Sequence, residues 1–253
     1  MNILINFNLF LINENLTVDM NQSNEQISII IAAYNEQGNI EKAIKKVRDV
    51  LPQAEIIVVD DGSTDQTLHE AQQFEDKLIK IIINPKNMGK GNAIRKGIET
   101  ATSSIMAQVD ADLQFPAEGL PNLINPILKG EADIVFGSRY LNPSLIENDS
   151  VSFVKQMASY VVAKIVSLIC GQDYTDVFAG FKAWRSDIIR NLDLKEDGFT
   201  YEAEIAIKAK RKNYKVIEIP TAYKKRTTGQ SKIKLIYHTI HVSYRIFKLA
   251  LFS

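Results

Sequence analysis

The stretch QVDADLQFP, residues 108–116, ends an apolar run at Val109 with two carboxylates one residue apart, Asp110 and Asp112, and then a carboxamide, Gln114. Like charges that close repel and resist ionising together unless a positive charge lies beside them. A hard divalent cation, Mg2+ or Mn2+, meets that need, because it takes oxygen ligands from Asp carboxylates and amide carbonyls. An Asp-x-Asp pair also serves as a helix cap or sits in a solvated turn. The pair by itself leaves both readings open.

The elements that must position it alternate in a regular way. SIIIAAY (28–34), EIIVVDD (55–61), KLIKIIIN (77–84), SSIMAQVD (103–110) and ADIVFGS (132–138) read as strands. EKAIKKVRDVL, TDQTLHEAQQF and GNAIRKGIETA read as helices between them. Apolar strands separated by helices indicate an α/β fold: a mostly parallel sheet with helices on both faces. Such sheets bind ligands beyond the carboxyl ends of their strands. Those ends are Tyr34-Asn35-Glu36, Asp60-Asp61-Gly62-Ser63, Asn84 leading to Asn87-Met88-Gly89-Lys90-Gly91, Asp110-Ala111-Asp112 and Gly137-Ser138-Arg139. Five polar ends converging on one sheet edge make a site.

Several function classes fall away. MGKGNAIRKG lacks the G-x-x-x-x-G-K-[ST] of a Walker loop, and no G-x-G-x-x-G follows the first strand. Thirty basic and thirty acidic residues balance, which argues against a general nucleic-acid binder. The balance hides an asymmetry: from Lys208 to the end there are twelve Lys or Arg and one acid, Glu218, so the tail is expected to meet phosphates or a membrane surface. The single Cys170 excludes an intrachain disulfide and a cysteine-based zinc site, and fits a reducing compartment. Residues 1–26 lack the features of a secretory signal and read as a loosely ordered extension, with Met20 as a possible alternative start. No run of about eighteen uncharged apolar residues is present, so no transmembrane helix is expected.

The ordered series AAYNE, VVDDGSTD, NMGKGNA, DADLQFP, FGSRY, DVFAGFKAWR, YEAEIAIKAKRKNYKVIEIP and RTTGQSK, from about Ile27 to Lys234, resembles the family 2 glycosyltransferases of the GT-A fold. It is most similar to the dolichyl- or polyprenyl-phosphate mannosyl- and glucosyltransferase branch. The resemblance implies a GT-A domain over 27–234, and the spacing of the remaining residues, 235–253, reads as a basic amphipathic helix. It implies an inverting, metal-dependent hexosyl transfer from GDP-mannose or UDP-glucose to a polyprenyl or dolichyl phosphate, by a protein peripheral at the cytoplasmic membrane face. Ala32, Tyr34, Glu36, Asp61, Lys90 and Asp110 would then bind the nucleotide, with Asp61 on the base. Asp110, Asp112 and Gln114 would hold Mg2+ or Mn2+ on the diphosphate. Arg226 and Lys232 would contact phosphate from a loop freed to close by Gly229. Arg139, Lys155, Ser159 and Asp176 would face the acceptor.

Two departures from the family pattern bear on this. Ala32 stands where Pro is usual, and Val177-Phe178 replace a small polar pair beside the retained Asp176. Transfer to a soluble or polysaccharide hydroxyl is an alternative; it needs a base, for which Asp176 is the best placed by motif. A non-catalytic nucleotide-sugar-binding protein is another, against which the intact Asp-x-Asp, Glu204 and R-x-x-G-x-S-K argue. On the helix expected over 151–171, Lys155 and Ser159 share a face four residues apart, and Phe153, Val154, Val161, Ile165 and Leu168 form an apolar surface. A core helix with a solvated polar stripe gives the same pattern. In the tail, Lys234, His238, His241, Arg245 and Lys248 recur at helical steps as a basic stripe, suited to a membrane interface or to packing on the sheet or on a partner.

Overall fold

The computed structural model describes residues 26–226 and 235–252, with side chains in the last helix described from Val242 to Leu251. The expected N-terminal extension, Lys232, Lys234 and Gly229, and the side chains of His238 and His241, lie outside the described residues.

One seven-stranded sheet organises the chain, in the order β3-β2-β1-β4-β6-β5-β7. The strands are β1 (Ile27–Ala33), β2 (Glu55–Asp60), β3 (Ile79–Ile83), β4 (Ile105–Asp110), β5 (Ile134–Ser138), β6 (Lys182–Arg185) and β7 (Val216–Pro220). All neighbours pair in parallel except β6, which runs antiparallel between β4 and β5. The five expected strands are present; β6 and β7 were not expected as strands. β6 has four residues and carries a buried lysine, and β7 is a half-covered edge, so neither has the apolar run that marks a buried strand.

The period-two rule explains the layering. Ile29, Ile31, Ile56, Val58, Ala107 and Val109 point to one face; Ile30, Ile57, Val59 and Met106 point to the other. Helices α1 (Ile40–Val50), α2 (Thr67–Gln72) and α4 (Leu120–Leu128) cover the first face. Helices α3 (Lys90–Thr100), α5 (Phe153–Cys170), α6 (Ser186–Asn191), α7 (Tyr201–Arg211) and α8 (Leu235–Phe252) cover the second. The tail helix α8 joins this core: Val242 and Ile246 are buried with α5 and α7.

Strand order turns at β1, whose chain runs outward to β2 and β3 and then returns on the other side as β4. A crevice forms outside the carboxyl ends at such a reversal. Tyr34 and Asp110 stand at its two lips, because Ala32 is in register with Asp110 across the β1–β4 pair.

Candidate active site

The crevice is a cleft of about 650 Å3. Its β2–β1 side is built by loops tied to one another. Asn35 takes a left-handed backbone (φ +52°), which asparagine tolerates better than most residues. Its amide donates to Ser63 Oγ at 2.9 Å, its side-chain oxygen accepts from the Thr64 amide at 2.8 Å, and the Glu36 amide donates to Thr67 Oγ1 at 2.7 Å. Asp61 is buried and accepts from Asn84 Nδ2 at 2.6 Å and from the Met88 and Gly89 amides at 2.9 and 2.8 Å. Its carboxylate therefore shapes the turn that launches α3 and aims Lys90.

The Asp-x-Asp segment sits in the middle. Lys90 Nζ lies 2.7 Å from Asp110 Oδ1 and 3.2 Å from Glu202 Oε1. Arg226 Nη2 lies 2.7 Å from Asp112 Oδ2 and 3.2 Å from Glu36 Oε1. Leu113, between Asp112 and Gln114, is left-handed (φ +58°), a conformation that costs a branched side chain about 1–2 kcal/mol and turns Asp112 back over the cleft. The Lys224 amide donates to Gln114 O at 2.8 Å and Gln114 Nε2 donates to Lys224 O at 3.2 Å, so the chain two residues on carries Arg226 over Asp112. Burial pushes the Asp110 carboxyl upward, with Asp112 and Glu202 adding to this against Lys90. Burial alone would lower the Lys90 ammonium, but Asp110, Tyr201 and Glu202 outweigh it and hold it well above the ordinary lysine range.

These donors fit a divalent cation of the kind held by one or two carboxylates together with substrate phosphates. Asp110 and Asp112 both line the cleft, and the Gln114 amide bonds the chain through its nitrogen, leaving its carbonyl oxygen for a hard ion. Among the described residues no set of three or more His, Cys, Asp or Glu closes around an ion, so these groups make an open site rather than a cage.

The β5 side is cationic. Arg139 makes a two-point pair with Asp176, Nε to Oδ2 at 2.6 Å and Nη2 to Oδ1 at 2.7 Å, with a third bond from its own amide at 3.2 Å. Asp176 is fully buried and is itself placed by Glu218, which accepts from the Asp176 amide at 2.9 Å and from the Thr175 amide at 2.8 Å. The guanidinium rests among the rings of Phe115, Tyr140 and Tyr223, 5.1–5.8 Å from their centroids. Burial pushes the Tyr223 phenol up to about 12, so it stays a neutral hydrogen-bonding group. From α5, Lys155 and Ser159 reach the same cleft, and Lys155 makes no ion pair among the described residues.

Ala32, Tyr34, Glu36, Asp61, Lys90, Asp110, Asp112, Gln114, Arg139, Lys155, Ser159 and Arg226 thus line one cleft. Asp176 does not line it and acts on it through Arg139. Glu204 is not part of it: its carboxylate accepts from the Lys195 and Glu196 amides at 2.8 Å and pairs with Lys208 at 2.7 Å, fixing the loop before α7. Glu202, two residues earlier, is fully buried and reaches the cleft only through Lys90. Sequence reading missed Glu202, Lys182 and Gly180. The available signal was a lysine inside a short strand that is otherwise small or aromatic, KAWR.

The two long helices bear on two expectations. α5 is long and apolar enough by length and composition to cross a membrane, despite Lys155 and Lys164. It nevertheless buries Val162, Val166 and Cys170 in the core, lines the cleft with Lys155 and Ser159, and exposes Phe153, Val154, Met157, Tyr160, Val161 and Leu168. In α8, Arg245 is half-exposed and pairs with Glu196 at 2.7 Å, while Tyr244, Phe247 and Leu251 are exposed.

A family description, Glycosyl transferase family 2, matches residues 28–157. The chain is 34% identical over 230 residues to the dolichol-phosphate mannosyltransferase of Pyrococcus furiosus, covering 88% of this chain and 64% of that relative's length. It is 26% identical over 214 residues to the polyprenol monophosphomannose synthase of Mycolicibacterium smegmatis, covering 81% of this chain and 80% of that protein. Among solved structures, glucosyl-3-phosphoglycerate synthase from Mycobacterium tuberculosis with Mn2+, UDP-glucose and phosphoglyceric acid superposes with a TM-score of 0.70 over 91% of this chain and 81% of that one. At 17% identity that likeness shows the fold alone.

Proposed function

The chain belongs to glycosyl transferase family 2, and from that premise we propose that it moves a hexose from a nucleoside diphosphate sugar to a polyprenyl phosphate at a membrane face. The observation that carries the reading is the polarity of one cleft. Its β2–β1 side and centre present Asp61, Lys90, Asp110 and Asp112, and its β5–α5 side presents Arg139, Lys155 and Ser159 beside an exposed apolar helix surface. The two named relatives act, by their descriptions, on lipid phosphates.

In this account the donor lies along β1, with its diphosphate between Lys90 and Arg226. Asp110, Asp112 and Gln114 would hold Mg2+ or Mn2+ there; the solved relative is bound to Mn2+. Such an ion supplies Lewis-acid stabilisation of the charge that grows on a departing diphosphate. Lys90 and Arg226 add fixed positive charge at the same place, where it counts most in the transition state. Arg139, Lys155 and Ser159 bind the acceptor phosphate and hold one oxygen in line with the anomeric carbon; a single displacement there inverts the configuration. A phosphate oxygen is already anionic, so no proton has to be removed first.

That last point weighs against a hydroxyl acceptor, since Asp176 has both oxygens committed to Arg139 and no exposure. The exposed apolar residues of α5 and α8 support peripheral contact with the bilayer, where a polyprenyl chain resides. Which hexose and base are used is open to direct test by calorimetric titration of GDP-mannose and UDP-glucose with Mn2+ and then with chelator. Tight, metal-dependent binding of one donor is expected; binding of neither, with other nucleotide sugars also silent, would favour a non-catalytic protein.

A further inference from the structure

Beneath Asp110 runs a line of four alternating charges: Lys182, Glu202, Lys90 and Asp110. Lys182 and Glu202 are fully buried, and burying a charge pair in a core is costly unless every proton and lone pair is used. Here they are used. Lys182 Nζ donates to Glu202 Oε2 at 2.6 Å, to Val177 O at 3.0 Å and to Ala179 O. Glu202 Oε1 takes Lys90 at 3.2 Å, and Lys90 reaches Asp110 at 2.7 Å. A pair serving only the core would end in the core. This one ends on Asp110 by two routes. One passes through Glu202 and Lys90. The other passes through the carbonyls of Val177 and Ala179 to Gly180, whose Cα packs so closely on the Asp110 carboxylate that a Cβ there would fall well inside 3.0 Å of it.

We propose that the Lys182–Glu202 pair is a positioning device for the donor diphosphate: it sets the Lys90 ammonium and the Gly180 backbone on either side of Asp110. This rests on the donor reading above. Neither residue touches the donor; both act through Lys90 and the 177–180 turn.

The test uses the full chain and compares wild type, Lys182→Met/Glu202→Leu, Lys90→Met, and the triple variant. Thermal unfolding without ligand reports the fold, and calorimetry with Mn2+ reports binding of GDP, UDP and the matching monophosphates. Replacing both charges with apolar groups of similar size is often neutral for stability. Because Lys182→Met also takes the donor from the Val177 and Ala179 carbonyls, the double variant is expected to unfold somewhat below the wild-type temperature, and to bind the preferred diphosphate about tenfold more weakly, a loss on the scale of one charge-assisted bond. Its monophosphate affinity should change little. Added to Lys90→Met, the pair of substitutions should weaken diphosphate binding by clearly less than it does in the wild type, because the Lys90 route is already lost and only the route through the 177–180 turn remains.

Wild-type diphosphate affinity in the folded double variant overturns the inference, as does full additivity with Lys90→Met. Should the double variant fail to fold, Glu202→Gln, which keeps the shape and leaves Lys182 its two carbonyls, is measured by the same criteria. Wild type binding neither GDP nor UDP overturns the donor reading and this inference together; wild type binding with an unaltered variant overturns the inference alone.

Discussion

Gly180→Ala is a small change with a large expected effect. The backbone at Gly180 is not in the left-handed region, so alanine is conformationally acceptable there. Its methyl would fall inside 3.0 Å of all three carboxylate atoms of Asp110, where ordinary contact begins at 3.4 Å. Asp110 is held on its other side by Lys90 at 2.7 Å, so the carboxylate must move by roughly 1 Å or rotate out of that pair. A misplacement of about 1 Å in a catalytic constellation costs on the order of 100-fold in rate. The expected result is kcat reduced by about two orders of magnitude, with the unfolding temperature lowered by only a few degrees. Steady-state transfer kinetics across a Mn2+ series, alongside thermal unfolding, would measure both. Gly198→Ala is the matched control, since nothing lies within 4 Å of a Cβ there and its backbone is also unstrained. A folded Gly180→Ala with wild-type kcat and metal dependence would refute the placement of Asp110 in the reaction.

Asp176→Asn leaves Arg139 buried without its counter-charge; loss of one partner of a buried pair costs about 3–5 kcal/mol. The variant should raise KM for acceptor far more than for donor in initial-rate assays at reduced temperature. Ser substitutions at Phe153 and Leu168, 74% and 87% exposed, should leave the unfolding temperature unchanged and weaken sedimentation with anionic vesicles by about tenfold. Glu55 carries a pH prediction. Burial alone would raise its pKa, but Lys80, the Ser28 hydroxyl and the Thr102 amide outweigh it and hold the carboxyl below its ordinary 4.5. A depressed carboxylate stabilises the fold above the unfolded value and loses that contribution as pH falls through the folded value. Glu55→Gln should therefore be less stable than wild type at pH 7, with the gap closing below about pH 4.5 in urea titrations.

The fold was legible where physics is local. Five strands announced themselves as β-branched apolar runs, and their polar ends marked the cleft because side-chain chemistry at a sheet edge needs no knowledge of distant partners. α4 was hidden by Pro121 and Pro126, breaker signals that tertiary packing of Leu120, Leu123, Ile124 and Ile127 overrides. What stayed illegible was long-range pairing. Nothing near Asp112 indicates that Arg226 will meet it, or that Glu202 rather than Glu204 turns toward Lys90. The helical pattern of α8 was readable, but not the partner of Arg245, which is Glu196, forty-nine residues away. Asp176 read as a candidate base from its motif; its neighbour in space, Arg139, makes it an anchor.

The most direct test of the account is transfer itself. The full chain is incubated with Mn2+, radiolabelled GDP-mannose or UDP-glucose, and vesicles with or without polyprenyl phosphate. The account predicts that label from one donor enters the organic phase only when polyprenyl phosphate is present, and that chelator or Asp112→Asn abolishes it. Label that stays in water with both donors, or that transfers equally to vesicles containing the polyprenyl alcohol, would contradict it.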